Sequence, residues 1–316
     1  MNKIQKKIRT FLQKQNIVFD EITFLAGDAS TRKYFLVLQN NKKKVLMCDF
    51  YNPLSINKFQ KINNLFASAG ICVPKIFNTF PKNGMMILEY FGQKKYSNII
   101  SEQNKFELYT LAIDSLIKLH KIPVFTDLEE YSKEMFIEES NIFVKWYLKL
   151  KKKKITSNFQ EFSDILSELL DIPMALKKVN IHRDYHVDNL FFLSKNNKNR
   201  CGWIDHQDAV QGTCVYDLMS LLEDARLNAD YSMNEKLIDY YLKHFVEIDK
   251  RLFIDGFNII AIQRHLKVLG IFSRLYLRDK KSNYLIHIPR VTNMLEKKLK
   301  ECKFKDLRRI ICNLLH

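Results

Sequence analysis

Residues 181–189 read IHRDYHVDN, and residues 203–205 read WID after an apolar run (LFFL) and a short polar turn. This order predicts a loop, a strand, a hairpin turn and a second strand. Three polar residues stand at the predicted strand ends, namely Asp184, Asn189 and Asp205. Polar groups at fixed places in an apolar setting need partners or a function. The stretch therefore predicts a functional site built from one loop and the end of the following hairpin.

The spacing within this stretch is typical of phosphoryl-transfer sites, in which H-R-D, four residues and Asn are followed by a downstream Asp. In such a site Asp184 accepts the proton of an attacking hydroxyl. Asn189 and Asp205 supply oxygen ligands to the Mg²⁺ that bridges the ATP phosphates. We therefore expect ATP and Mg²⁺ as cofactors, with Asp184 as the catalytic residue. A turn with a purely structural role is the alternative.

The residues after Asp205 narrow the kind of kinase. The sequence runs Asp205-His206-Gln207-Asp208, with Gly212 and Asp217 further on, and no Ala-Pro-Glu follows. This pattern resembles the aminoglycoside and choline phosphotransferase family, whose members phosphorylate small hydroxyl compounds. The resemblance implies a small-molecule acceptor in place of a protein.

Three further segments resemble one branch of that family. They read LAGDASTRKYF at residues 25–35, YDLMSLLEDAR at 216–226 and QRHLKVLGIFSRL at 263–275. The branch is that of the anomeric sugar kinases acting on N-acetylmuramate and N-acetylglucosamine in bacterial cell-wall recycling. The resemblance implies an amino sugar as the acceptor and its anomeric hydroxyl as the phosphorylated group.

The nucleotide side of the predicted site is atypical. The strand at residues 45–50 has no central lysine, so the cation that usually contacts the phosphates is missing. We expect Arg32 to replace it, with Lys33 as the alternative. A turn just before Arg32 is expected to bring backbone N–H groups to the phosphates; its residues are Gly27, Asp28, Ala29 and Ser30.

The adenine is expected to meet the backbone of a hinge. Residues 85–92 read MMILEYFG, which predicts a strand that runs into a connecting segment. Backbone groups of Glu89, Tyr90 and Phe91 are the candidates for the contact.

The sequence indicates the residues that bind the phosphoryl acceptor less clearly than it indicates the catalytic loop. Candidate residues are His186 and Asp188 in the loop, together with His206, Trp146 and Glu223. For Trp146 a place in the core is the more common alternative. Choline, ethanolamine, homoserine or an aminoglycoside stays open as acceptor, because Glu223, Asp224 and Asp230 could recognise a cation. A catalytically silent kinase-like binding module is the alternative from another class.

These elements predict an α+β, bilobal, protein-kinase-like fold. The β-rich N-terminal lobe comprises residues 1–92, and the mainly helical C-terminal lobe comprises residues 93–316. An amphipathic first helix is expected to pack on the N-terminal lobe. A length of 316 residues suits two such lobes.

Composition excludes few classes of protein. The formal net charge of +16 invites a nucleic-acid reading, but the lysines are scattered through every segment, so we expect no nucleic-acid partner. The six cysteines have no metal-ligand spacing, which suits a reduced, cytoplasmic protein. No apolar stretch predicts a membrane span or a signal peptide. The sequence leaves the oligomeric state open.

Overall fold

The computed structural model describes residues 3–27, 31–153, 159–195 and 198–315. The chain divides into two compact units, of which the first is Met1–Lys94 with Gly202–Gln207 and the second is Lys95–Cys201 with Asp208–His316. The break after Lys94 lies two residues beyond the expected lobe boundary. The segment Gly202–Gln207, which includes Asp205, packs with the first unit.

The first unit is an antiparallel sheet with two helices. Its helices are α1 (Lys3–Lys14) and α2 (Ser55–Ser68), and its strands are β1 (Glu21–Ala26), β2 (Lys33–Gln39), β3 (Lys42–Cys48), β4 (Ile76–Phe80) and β5 (Met85–Glu89). The strand order is β1-β2-β3-β5-β4. The sequence did not predict β4, a short strand at the sheet edge whose residues are half-buried or exposed and whose register shifts between Ile76 and Asn78.

Alternation along the strands explains the two faces of this sheet. Leu46 packs with Ile8 and Leu12 of α1, and all three side chains are fully buried. Its neighbour Met47 lies on the opposite face, in a cluster with Ile56 of α2. Successive side chains of a strand point to opposite faces, so each face recruits one helix. The predicted packing of the first helix is thereby confirmed.

The second unit is mostly helical. Its helices are α3 (Tyr96–Ile99), α4 (Lys105–His120), α5 (Lys133–Ile142), α6 (Leu148–Leu150), α7 (Phe159–Leu169), α8 (Asp171–Met174), α9 (Val215–Leu222), α10 (Tyr231–Leu242), α11 (Lys250–Leu277), α12 (Ile288–Glu301) and α13 (Lys305–Leu315). The remaining strands along the chain are β6 (Lys178–Ile181), β7 (Leu190–Lys195), β8 (Lys198–Trp203) and β9 (Val210–Thr213). β6 pairs with β9, and β7 pairs with β8, as the hairpin pattern predicted.

Helix α11 forms the centre of the second unit. Asp249 caps its first turn by accepting a hydrogen bond from the Leu252 N–H at 2.7 Å. A Cβ at Gly270 would lie only 2.5 Å from the backbone nitrogen of Phe143, at the start of a π-helical turn (Phe143–Tyr147) that follows α5. The absence of a side chain therefore lets α11 lie against the α5 segment. Within the described ranges, no helix combines the length and the apolar composition that a membrane crossing requires.

Candidate active site

The loop after β6 is anchored by a buried carboxylate. Asp217, in the first turn of α9, is fully buried and accepts hydrogen bonds from the backbone N–H groups of His182 at 2.5 Å and Arg183 at 3.0 Å. Burial raises the pKa of Asp217 to about 7, although the two N–H donors act in the opposite direction. Arg183 has a φ of +77°, a left-handed conformation that costs about 1–3 kcal/mol in a non-glycine residue. Asp217 thus fixes the strained backbone just before Asp184.

The loop then closes on itself around Asp184. The Asn189 side-chain amide donates from Nδ2 to the backbone carbonyl of Asp184 at 2.9 Å, and the Asn189 N–H donates to the His186 carbonyl at 2.9 Å. Because Nδ2 makes the bond to Asp184, the amide oxygen of Asn189 is the atom that suits a metal ion. Asp184 and Asn189 therefore belong to one rigid turn, as their spacing predicted.

The ring of His186 packs against this turn. His186 Nε2 lies 3.3 Å from Asn189 Nδ2, and burial, followed by the charges of Arg226 and Arg264, lowers the pKa of His186 well below its usual value. The imidazole is therefore neutral and accepts a hydrogen bond at Nε2. From the sequence, His186 was expected only to contact the molecule that is phosphorylated. In the structure its ring also supports the loop.

An ion-pair network that the sequence did not reveal holds the side chain of Arg183. Glu139 of α5 accepts hydrogen bonds from Arg183 Nη2 at 2.6 Å and from the Tyr131 hydroxyl, and Lys267 Nζ of α11 lies 2.9 Å from Glu139 Oε2. Burial alone would raise the pKa of Glu139, but Lys267 and Arg183 lower it below the usual value. These partners are far apart in sequence, and no local pattern joins them.

The far end of the loop is held by a second network. Asp224 accepts hydrogen bonds from the Val187 N–H at 3.0 Å and from Arg226 Nη1 at 3.0 Å. Arg226 in turn donates from Nε to the Asp188 carboxylate. Burial alone would raise the pKa of Asp188, but Arg226, Ser97 and Lys95 together lower it below its usual value. Asp188, expected near the acceptor, thus pairs with Arg226.

Arg32 lies between two carboxylates in the first unit. Its Nε is 4.0 Å from Asp49 Oδ2 and its Nη1 is 3.5 Å from Asp205 Oδ1. Asp49 is 2% exposed and accepts hydrogen bonds from Thr31 Oγ1 at 3.0 Å and Ser55 Oγ at 2.8 Å. Asp49 therefore links the start of β2 to the start of α2. Asp205, with a φ of +60°, has a left-handed backbone conformation.

Of the four residues of the predicted nucleotide-covering turn, the structure describes Gly27. A Cβ at Gly27 would lie 3.1 Å from the Arg32 carbonyl, so glycine allows the chain to approach itself closely on either side of the turn. Asp28, Ala29 and Ser30 lie outside the described residues. In the predicted hinge, the Glu89 N–H donates to the Lys75 carbonyl at 2.8 Å. This N–H is therefore engaged within the sheet, and the contact of adenine with the other backbone groups of Glu89, Tyr90 and Phe91 stays a prediction.

The structure also corrects two expected acceptor contacts. His206 is fully buried, with its ring 5.0 Å from that of Phe59 and 5.6 Å from that of Phe66. Glu223 is 3% exposed and pairs with His265 and Lys298. Both side chains are enclosed by protein and do not reach a small-molecule acceptor.

Trp146 differs from these two residues because it is half-buried. It lies in the π-helical turn, and the Lys149 ammonium is 5.8 Å from its ring centroid. The side chain is accessible in part, so its assignment to the acceptor stays a prediction.

Comparison with known proteins agrees with this arrangement. The model of the family described as "Phosphotransferase enzyme family" matches residues 21–252. The N-acetylmuramate/N-acetylglucosamine kinase of Neisseria meningitidis serogroup B is 30% identical over 312 residues, which cover 93% of this chain and 90% of the relative. The Pseudomonas aeruginosa protein of the same name is 30% identical over 285 residues, covering 87% and 83%.

Among solved structures, the streptomycin–ATP–APH(2")-IIa ternary complex superposes with a TM-score of 0.65 at 18% identity, covering 97% of this chain and 99% of the other. The predicted kinase-like α+β fold and the predicted resemblance are thereby confirmed. The family match over most of the chain and the relatives at 30% identity lead to one conclusion. This chain belongs to the phosphotransferase enzyme family.

Proposed function

We propose that this chain transfers the γ-phosphoryl group of ATP to the anomeric hydroxyl of N-acetylmuramate or N-acetylglucosamine. The observation that carries the proposal is the 30% identity, over 93% of the chain, to a kinase named for these two sugars. The chemistry of the loop is compatible with it. An anomeric hydroxyl is more acidic than an ordinary alcohol, so a carboxylate such as Asp184 is an adequate base. Because ATP is the donor, the reaction takes place in the cytoplasm.

Asp184 orients the acceptor hydroxyl and takes its proton in this mechanism. The carbonyl of Asp184 is tied to Asn189, and Asp217 holds the preceding backbone, so the carboxylate is carried on a preorganised turn. Phosphoryl transfer needs little covalent chemistry from the protein. The protein therefore catalyses the reaction by positioning the reactants and by placing charges near them.

Asn189 and Asp205 are the proposed ligands of Mg²⁺. The described residues contain no cluster of three or more His, Cys, Asp or Glu side chains that could enclose a metal. Mg²⁺ at nucleotide sites commonly binds through one or two protein oxygens, with water and substrate phosphates completing its shell. When bound, the ion neutralises charge on the phosphates. The Asp205 side chain is 44% exposed and can take this role.

The ATP phosphates are assigned to Arg32. Its guanidinium lies 3.5 Å from Asp205, the proposed metal ligand, and Asp49 supports it from the other side. The pair of Arg32 and Asp49 replaces the usual lysine and glutamate, with the carboxylate following β3 instead of standing on a helix. Gly27, Asp28, Ala29 and Ser30 are proposed to cover the phosphates, and the adenine is assigned to the hinge at Tyr90 and Phe91, with the Glu89 carbonyl.

Two of the three acidic residues that a cationic acceptor could use are paired with other side chains, and the third, Asp230, caps α10 by accepting a hydrogen bond from the Met233 N–H at 3.0 Å. Glu223 pairs with His265 and Lys298, and Asp224 binds Arg226 and the Val187 N–H. These contacts favour a neutral or anionic acceptor over choline or an aminoglycoside. An amino sugar fits this requirement, and N-acetylmuramate carries a carboxylate.

A panel of acceptors tests the assignment. Purified protein with ATP and Mg²⁺ is offered N-acetylmuramate, N-acetylglucosamine, choline, ethanolamine, homoserine and an aminoglycoside, and ADP release is measured. We expect turnover with the two amino sugars at least about 100-fold above the others. Turnover with choline alone would show that choline, and not an amino sugar, is the acceptor. If none of the compounds causes ADP release, a catalytically silent binding module becomes the better assignment.

A further inference from the structure

Helix α11 carries a run of polar side chains in the core of the second unit. Gln263, Arg264, His265 and Lys267 are each no more than 8% exposed. Burying charged groups is costly unless they are paired. Gln263 Nε2 donates to the Phe136 carbonyl at 2.9 Å, and His265 Nε2 lies 2.8 Å from Glu223. These two contacts attach α11 to its neighbours and leave Arg264 and Lys267 to be explained.

Both of these cations act on the residue that precedes Asp184. Lys267 binds Glu139, which in turn holds the Arg183 guanidinium. Arg264 Nη1 lies 3.4 Å from the Arg183 backbone carbonyl and 2.9 Å from the Tyr216 hydroxyl. One helix therefore holds the side chain of Arg183 indirectly and its carbonyl directly, at a position with a left-handed φ of +77°.

The guanidinium of Arg264 differs from those of Arg183 and Arg226 in its surroundings. Within the described part of the chain, no Asp or Glu oxygen lies within 4.0 Å of its guanidinium, unlike those of Arg183 and Arg226. Burial alone would lower the pKa of Arg264, but Tyr216 and Asp184 raise it, so the guanidinium stays charged. Its buried charge reaches the loop through the Arg183 carbonyl, the backbone group that is bonded to the Asp184 nitrogen.

We propose that Arg264 is a positioning residue for Asp184, which it orients through the Arg183 carbonyl and through its own buried positive charge. The inference rests on the proposed function, in which Asp184 takes the proton of the acceptor hydroxyl. It assigns a role to Arg264, a residue that the proposed mechanism does not otherwise use.

The test compares Arg264→Met, which removes the charge, with Arg264→Lys, which keeps it. A displacement of about 1 Å at a reacting group costs about 10²-fold, so Arg264→Met is expected to lower kcat by about 100-fold. The KM values for ATP and for the amino sugar should change by less than about 3-fold. Arg264→Lys should recover most of kcat. Arg274→Met, on the same helix and away from the catalytic loop, is the control and should retain kcat within about 2-fold.

A double variant separates positioning from a general structural effect. In an Asp184→Asn background, adding Arg264→Met should lower the residual rate by less than about 3-fold, because residues that act through one another are not additive. A further loss of about 100-fold would overturn the proposal, as would an Arg264→Met kcat equal to that of the Arg274→Met control. Full activity of Asp184→Asn alone would instead overturn the proposed function. If Arg264→Met does not fold, Arg264→Gln, which also removes the charge, takes its place, and equal losses of kcat with and without Asp184 would contradict the inference.

Discussion

Replacing Glu139 with Gln tests the network beneath the catalytic loop. Glu139 is 12% exposed and faces two cations, Arg183 at 2.6 Å and Lys267 at 2.9 Å, whose side chains are 24% and 9% exposed. The neutral amide leaves both cations without a counter-charge in a poorly solvated place. Removing one partner of a buried ion pair costs about 3–5 kcal/mol, and we expect a loss of this size in the free energy of unfolding.

Urea unfolding at pH 7 measures this loss from the change in midpoint at constant m value. Lys267→Met is the matched control, because it leaves Glu139 paired with Arg183, and we expect it to cost less than half as much. kcat should fall along with stability in Glu139→Gln, since Arg183 precedes Asp184. A loss below about 1 kcal/mol for Glu139→Gln would show that solvent already screens these charges, and it would contradict the assignment of a buried ion-pair network to Glu139, Arg183 and Lys267.

The same group makes stability depend on pH. The pKa of Glu139 in the folded protein lies below its usual value of 4.5. The stabilisation is therefore fully present above about pH 4.5 and is lost as the pH falls through the lower folded value. The stability difference between the parent protein and Glu139→Gln should shrink as the pH falls through this range. A difference that stays constant from pH 7 to pH 3 would contradict the assignment.

Three further predictions concern the proposed base, the phosphate contact and the net charge. Asp184→Asn should fold, bind Mg²⁺–ATP and lose about 10²–10⁴-fold in kcat, as for the removal of a general base; turnover within twofold of the parent would remove Asp184 from the mechanism. Arg32→Ala should raise the KM for ATP far more than that for the acceptor, whereas Lys33→Ala should change neither by more than about 3-fold; the reverse ranking would make Lys33 the phosphate contact. Despite the net charge of +16, no shift of single-stranded DNA or RNA is expected at physiological salt, because charges that are not clustered give no continuous track for phosphates. Tight, stacking-dependent binding would overturn that prediction.

The parts of the fold and site that depend on local order could be predicted from the sequence. The H-R-D loop, the hairpin after it and the first helix each follow from spacing or alternation within one segment. The residues of the loop bond mainly to one another, as Asn189 does to Asp184, so a linear motif contains the geometry.

The supporting shell could not be predicted in this way. Glu139 and Lys267 lie on two separate helices, and only the packed structure brings Glu139 to Arg183 and Lys267 to Glu139. The role of His206 was undecidable for a related reason, since its burial depends on Phe59 and Phe66 of a distant helix.

Phosphorus NMR of the product tests whether the anomeric hydroxyl of an amino sugar receives the phosphoryl group. N-acetylglucosamine and N-acetylmuramate are each incubated with the enzyme, ATP and Mg²⁺, and the coupling of the new phosphorus resonance is assigned. We expect coupling to the proton on C1 and an acid-labile product. Coupling to the protons on C6, or no sugar phosphate alongside brisk phosphorylation of choline, would contradict it.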